Sequence, residues 1–145
     1  THTFVSVLLG LSASTLVHGD QDFSLQAADG FFFLLNWAYF NLFEFARKTY
    51  AREEERMGVD TYSSLFKPTG AGILSLSQVG IGLWFLAKAL PEANLNILFV
   101  TGAIYSLFCL NYMFKPSINS AKIFRSVSGV YLLVHYTILI WIFWR

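Results

Sequence analysis

The sequence predicts an all-α integral membrane protein with four spanning helices, and three observations carry that expectation. Of 145 residues, 55% are hydrophobic and only 13% charged, whereas an ordinary soluble domain has about 25% charged residues. The apolar residues gather into long runs, and about 20 such residues in a helix cross a hydrocarbon core of ~30 Å. The charges lie between the runs, with most of the basic ones on two segments, 47–67 and 115–125.

The stretch 29–57 organises the reading. Asp29 stands as a helix N-cap before the apolar run 30–43, which carries Asn36 and Asn41 among its aromatics. Glu44 follows, then the charged run from Arg47 to Arg56, then Gly58 as a helix stop. No proline intervenes, so one continuous helix is expected over 29–57. Its first half would sit in lipid. Its charged part, 47–57, would project into water as a docking face for a soluble-side partner.

Upstream, residues 3–17 form an apolar run too short for an ordinary span. A thin fifth transmembrane helix, a re-entrant helix and an interfacial helix all remain open there. The threonine at position 1 means that the chain is either processed or incompletely represented, and a removed organellar transit peptide is one candidate for what preceded it.

Downstream, 60–65 reads as a polar connector and Pro68 as the start of a second span, 69–90. Ala71, Ser75, Gln78 and Gly82 repeat there at heptad-like spacing, and small residues let helix backbones approach closely in lipid. A turn around 91–94 leads into the third spanning segment, 93–114. Lys115-Pro116 ends it. The last segment, 117–145, opens with a polar lead-in and closes on Trp141, Phe143 and Trp144 before Arg145, as suits a membrane exit. The whole chain, 1–145, is one polytopic membrane domain.

The basic asymmetry orients the chain. By the positive-inside rule, 47–67 and 115–125 face the same compartment and 91–94 the other. Phe66-Lys67-Pro68-Thr69 and Phe114-Lys115-Pro116-Ser117 echo each other. The plain reading is two helix starts, with lysine at the interface and proline in the first turn.

His135 is the first candidate for chemistry, because ionisable groups at mid-span are rare. A neutral imidazole there could ligate haem iron or a pigment magnesium, or bond a quinone carbonyl. Against that stands an interhelical hydrogen bond to a serine, a tyrosine or a carbonyl. Ser128, Tyr131, Leu132 and Leu139 share its helix face. Asn36, Asn41, Glu44 and Gln78 are expected to make interhelical polar contacts, or else to line a polar path. Glu44 also has Arg47 and Lys48 in ion-pairing register. Glu53-Glu54-Glu55 cannot converge on one metal ion from a helix, since successive residues diverge by about 100°.

No phosphate-cradling glycine loop, zinc-helix motif or nucleophile elbow is present in the sequence. A lone Cys109 rules out a disulfide within the chain. The net charge of +1 supplies no field for a nucleic-acid partner. The expected function is therefore non-catalytic. It is that of an accessory (supernumerary) subunit, assembling and stabilising a larger complex in an organellar, by preference mitochondrial, inner membrane. Other membrane subunits and bound lipids are its expected partners, and no cofactor is required. Two alternatives stand beside it: a haem- or quinone-binding anchor using His135, and a small transporter or channel using Asn36, Asn41, Glu44 and Gln78.

Overall fold

The computed structural model of the chain describes residues 27–143. The 3–17 segment, His2, His18 and the last two residues lie outside the described residues. Four α-helices account for most of the rest: α1 (Ala27–Arg47), α2 (Tyr62–Ala89), α3 (Asn96–Phe114) and α4 (Ile118–Phe143), with a 3₁₀ turn at Arg52–Glu54 between α1 and α2. They run up, down, up, down, and each packs on its neighbours in chain order, with α4 closing against α1.

α2, α3 and α4 are long and apolar enough to cross a membrane. α1 is not among them. Its 21 residues reach about 31 Å, but Asn36, Asn41, Glu44 and Arg47 interrupt the apolar run.

The expected helix over 29–57 is not formed. α1 ends at Arg47, and 48–61 is a folded loop. The charged run is rich in good helix formers, but propensity is a weak prior that tertiary contacts override. Here the loop's polar groups find partners that a continued helix would not give them. Thr49 Oγ1 donates back to the Phe45 carbonyl at 2.6 Å, and the Ser63 hydroxyl accepts from the Tyr50 amide at 2.8 Å. The Glu54 carboxylate caps the Ala51 amide at 3.1 Å. Gly58 does reverse the chain, at φ 76°, but inside a turn closed by Val59 N–H donating to Arg56 O, not at a helix end. No charged helix projects at 47–57.

α2 begins earlier than expected. Thr61 and Ser64 form a reciprocal cap, and one turn, 62–66, precedes Pro68. Lys67 between them has φ 62° and ψ 166°, because a residue before proline is driven out of the helical region. Pro68 then restarts the helix, as the sequence suggested. The turn after α2 extends to Leu95, so α3 begins at Asn96 rather than 93. Ser117 and Ser120 cap the start of α4 reciprocally, and the polar lead-in is continuous with the span in one 26-residue helix.

Two close approaches set the packing. A Cβ at Gly72 would run into Met113 of α3, and one at Gly82 into the ring of Tyr39 of α1. The small-residue pattern of α2 thus serves two neighbours, and Gly82 seats the tyrosine on which the centre of the bundle is built.

Candidate functional site

His135 lies where α1, α2 and α4 meet and is fully buried. The Tyr39 hydroxyl stands 2.7 Å from its Nε2 and 3.3 Å from its Nδ1. A hydroxyl on the axis of either ring nitrogen would be out of reach of the other, so this one lies off both axes. Tyr131, one turn before His135 on α4, brings its hydroxyl to 3.4 Å from that of Tyr39. The Tyr39 and Tyr131 rings flank the imidazole at centroid distances of 4.7 and 5.3 Å. Gly82 of α2 leaves room for Tyr39, and Gly102 of α3 lies beneath the Tyr131 hydroxyl. One turn further, Ser128 donates to the Phe124 carbonyl at 2.7 Å and sits 3.3 Å from the Tyr105 hydroxyl. All four helices contribute to this core of hydroxyls and one imidazole.

The arrangement matches the interhelical hydrogen bond expected of His135, with tyrosine as the partner. Among the described residues no group of three or more His, Cys, Asp or Glu side chains could hold a metal ion.

The other candidates do not converge. Asn36 makes an interhelical contact: the Tyr136 hydroxyl of α4 donates to its Oδ1 at 2.7 Å, while its own amide donates to the Phe32 carbonyl at 3.0 Å. Asn41 lies five residues on, about 140° round the helix. It is half-buried and makes no side-chain hydrogen bond among the described residues. Glu44 pairs with Arg47 at 2.9 Å and Lys48 at 3.8 Å, at the end of its own helix. Gln78 is buried, donates only to its neighbour Ser77, and has an Oε1 with no partner. Asn41 and Gln78 therefore make no interhelical hydrogen bond among the described residues.

A second polar centre holds the loop end together. Arg125 of α4 donates to both Glu54 oxygens, at 2.8 and 3.2 Å, and to the Thr49 carbonyl at 2.8 Å. Its guanidinium lies 4.6 Å from the centre of the Tyr50 ring. Tyr112 of α3 donates to the Tyr50 carbonyl at 2.8 Å. The Arg125 hydrogen bond holds the Glu54 carboxyl below its ordinary pKa, against the opposing effect of burial. The Glu55 carboxylate accepts from Thr61 and Ser63 at 2.6–2.8 Å. These contacts place 48–61 and the start of α4 at the same end of the bundle, as the basic asymmetry suggested.

The sequence reading missed Tyr39, Glu54 and Arg125. Tyr39 was one of seven tyrosines, and only its fit to Gly82 sets it apart. Nothing in three consecutive glutamates marks the middle one as the partner of a residue 71 positions away.

Comparison with known proteins gives no lead: no family model, curated protein or solved structure matches the chain.

Proposed function

We propose that this chain is a non-catalytic accessory subunit of a larger membrane complex, with α1 as a fourth spanning helix beside α2, α3 and α4. The observation that carries the reading is the polar seam between α1 and α4. Tyr136 bonds Asn36 within the apolar run of α1 and two turns before the end of α4, yet its side chain is 37% exposed. Polar groups at such depth almost always face protein or a water-filled cavity, and lipid offers the remaining donor and acceptor sites no partner. A neighbouring subunit covering the seam supplies one. The buried core supports the same reading, since its hydroxyls and imidazole bond one another and tie α1 to α4.

The host we propose is an energy-converting complex of an organellar inner membrane. Membrane fractionation, with identification of the co-migrating assembly on native gels, tests the host.

Photo-crosslinking tests the seam. Ile140 lies one turn beyond Tyr136 and is 65% exposed, while Leu107 of α3 is 68% exposed. A crosslinking residue at position 140 should capture one defined membrane protein in native membranes, and one at position 107 should capture lipid. Lipid alone at both positions, with the chain migrating as a monomer after mild extraction, overturns the proposal. An absorption band from a bound haem or pigment, lost in His135→Leu, would favour the cofactor-anchor reading instead.

A further inference from the structure

The two Phe-Lys-Pro steps of the sequence come together in space. The break in α2 at Lys67-Pro68 and the α3–α4 turn at Pro116 border one cleft of about 630 Å³, roofed by the loop after α1. The loop contributes Arg52 and Glu53, and α2 contributes Ser64 and Lys67.

Three features give this cleft a ligand chemistry. The first is unspent charge. Glu54, Glu55 and Arg125 at this end are all engaged. Arg52, Glu53 and Lys67 are exposed and make no side-chain hydrogen bond or ion pair among the described residues. The second is sign. The lining has two cations, Arg52 and Lys67, and two carboxylates, Glu53 and Glu55. It therefore suits a group carrying both charges better than an anion, which the carboxylates would repel. The third is depth. Pro68 and Pro116 flank helices long and apolar enough to cross a membrane. The residues just before the two lysines, Phe66 and Phe114, are 53% and 78% exposed, and Leu65 is 61% exposed. Aromatic and apolar side chains next to lysines mark the headgroup level. Lys67 is held here at positive φ, a strained conformation for a non-glycine residue of the kind that clusters at ligand clamps.

We propose that the cleft is a binding site for the zwitterionic headgroup of an aminophospholipid of the phosphatidylethanolamine class. The phosphate lies between Arg52 and Lys67, the primary ammonium pairs with Glu53, and the acyl chains descend past Phe66 and Phe114. The site is independent of whether a partner subunit covers the α1–α4 seam.

The test is native mass spectrometry of the purified full chain, with dioleoyl phosphatidylethanolamine, phosphatidylglycerol and phosphatidylcholine supplied in equal amounts. One phosphatidylethanolamine should be retained per chain, preferred about two- to fivefold over the others, as suits exposed ion pairs. Arg52→Gln should reduce retention of all three. Glu53→Gln should abolish the preference and raise phosphatidylglycerol. Lys67→Gly, the residue suited to this backbone conformation, should repeat the Arg52→Gln result, and circular dichroism checks that each variant keeps its helices. Equal retention of the three lipids, or a preference unchanged in Arg52→Gln and Glu53→Gln, overturns the proposal. Retention of soluble phosphoethanolamine as tightly as the lipid at equal concentration also overturns it, because the ligand would then be a soluble headgroup and not a membrane lipid.

Discussion

At the level of His135 the helices are tied by hydroxyl and imidazole side chains bonded to one another, whereas at the loop end a partly buried ion pair ties the loop to α4. Tyr39, Tyr131 and His135 meet inside the bundle with hydroxyl and imidazole groups alone. Glu54 and Arg125 meet where each side chain keeps about a fifth of its surface in contact with solvent. The difference follows from the cost of desolvation. An ion in a low-dielectric interior is expensive even when paired, while a hydroxyl is satisfied by one or two hydrogen bonds. The bundle therefore ties its helices at depth with neutral groups and folds its loop with charges. Variants in the two regions should differ in size and in what they disturb.

The largest effect should come from the centre, through packing. Gly82→Leu places a side chain where the Tyr39 ring lies. Overpacking of this kind costs about 1–3 kcal/mol, and we expect the upper end, because displacing Tyr39 also unseats its bond to His135. The midpoint of unfolding in mixed detergent–SDS micelles measures this. A midpoint equal to wild type would show that α1 and α2 do not approach at Gly82.

Arg125→Met should come next, at about 2 kcal/mol, since hydrogen bonds to charged groups contribute about 1.5–3 kcal/mol. Its signature is local. Trypsin should cut faster at Arg52 and Arg56 once the loop loses its hold on α4, while the unfolding of the spans changes less than in Gly82→Leu. Equal cleavage rates in variant and wild type would remove Arg125 as the organiser of the loop.

The Tyr39–His135 bond itself should contribute less than its burial suggests. Interhelical polar contacts in membranes average about 0.6 kcal/mol and reach about 1.7. A double-mutant cycle with Tyr39→Phe and His135→Leu should return a coupling in that range, with both single variants folded. A coupling near zero would mean that the two groups pack together without bonding.

The same contrast separates what was legible in the sequence from what was not. Burial of His135 followed from one polar residue amid an apolar run on a periodic helix, and its neighbours Ser128, Tyr131 and Leu139 are buried with it. Periodicity is local, and membrane burial leaves a polar residue few alternatives. The loop was misread because composition and caps in 44–58 agree equally with a helix and with this turn-rich fold. The deciding contacts come from Arg125, Tyr112 and Ser63, which are distant in sequence. The interhelical bond of Asn36 was legible as a type of contact, but its partner, Tyr136, was not. Gln78 has the spacing of a helix contact, yet its Oε1 has no partner among the described residues.

The smallest effect should be the pH dependence of the loop. Glu54 is the ion to test, because its hydrogen bond from Arg125 lowers its pKa from the ordinary value of 4.5. Lys122 and the capped Ala51 amide act in the same direction, and partial burial opposes them. A carboxyl whose folded pKa is depressed binds fewer protons in the folded state than in the unfolded one just below its ordinary pKa. Its contribution is therefore fully present above the usual carboxylate range and is lost as the pH falls through the depressed value. Between pH 6 and pH 3 the wild type should lose about 1 kcal/mol that Glu54→Gln does not, as befits a pair partly open to solvent. The difference between the two unfolding midpoints across this range isolates Glu54 from the other carboxylates, which both proteins share. It should shrink toward acid pH, and it should be smaller in an Arg125→Met background, where only the Ala51 amide and Lys122 still depress the carboxyl. A difference that stays constant with pH would mean that Glu54 acts only as the cap of the Ala51 amide, a role glutamine can fill in part. The loop end would then be held by Arg125 through the Thr49 carbonyl and the Tyr50 ring alone.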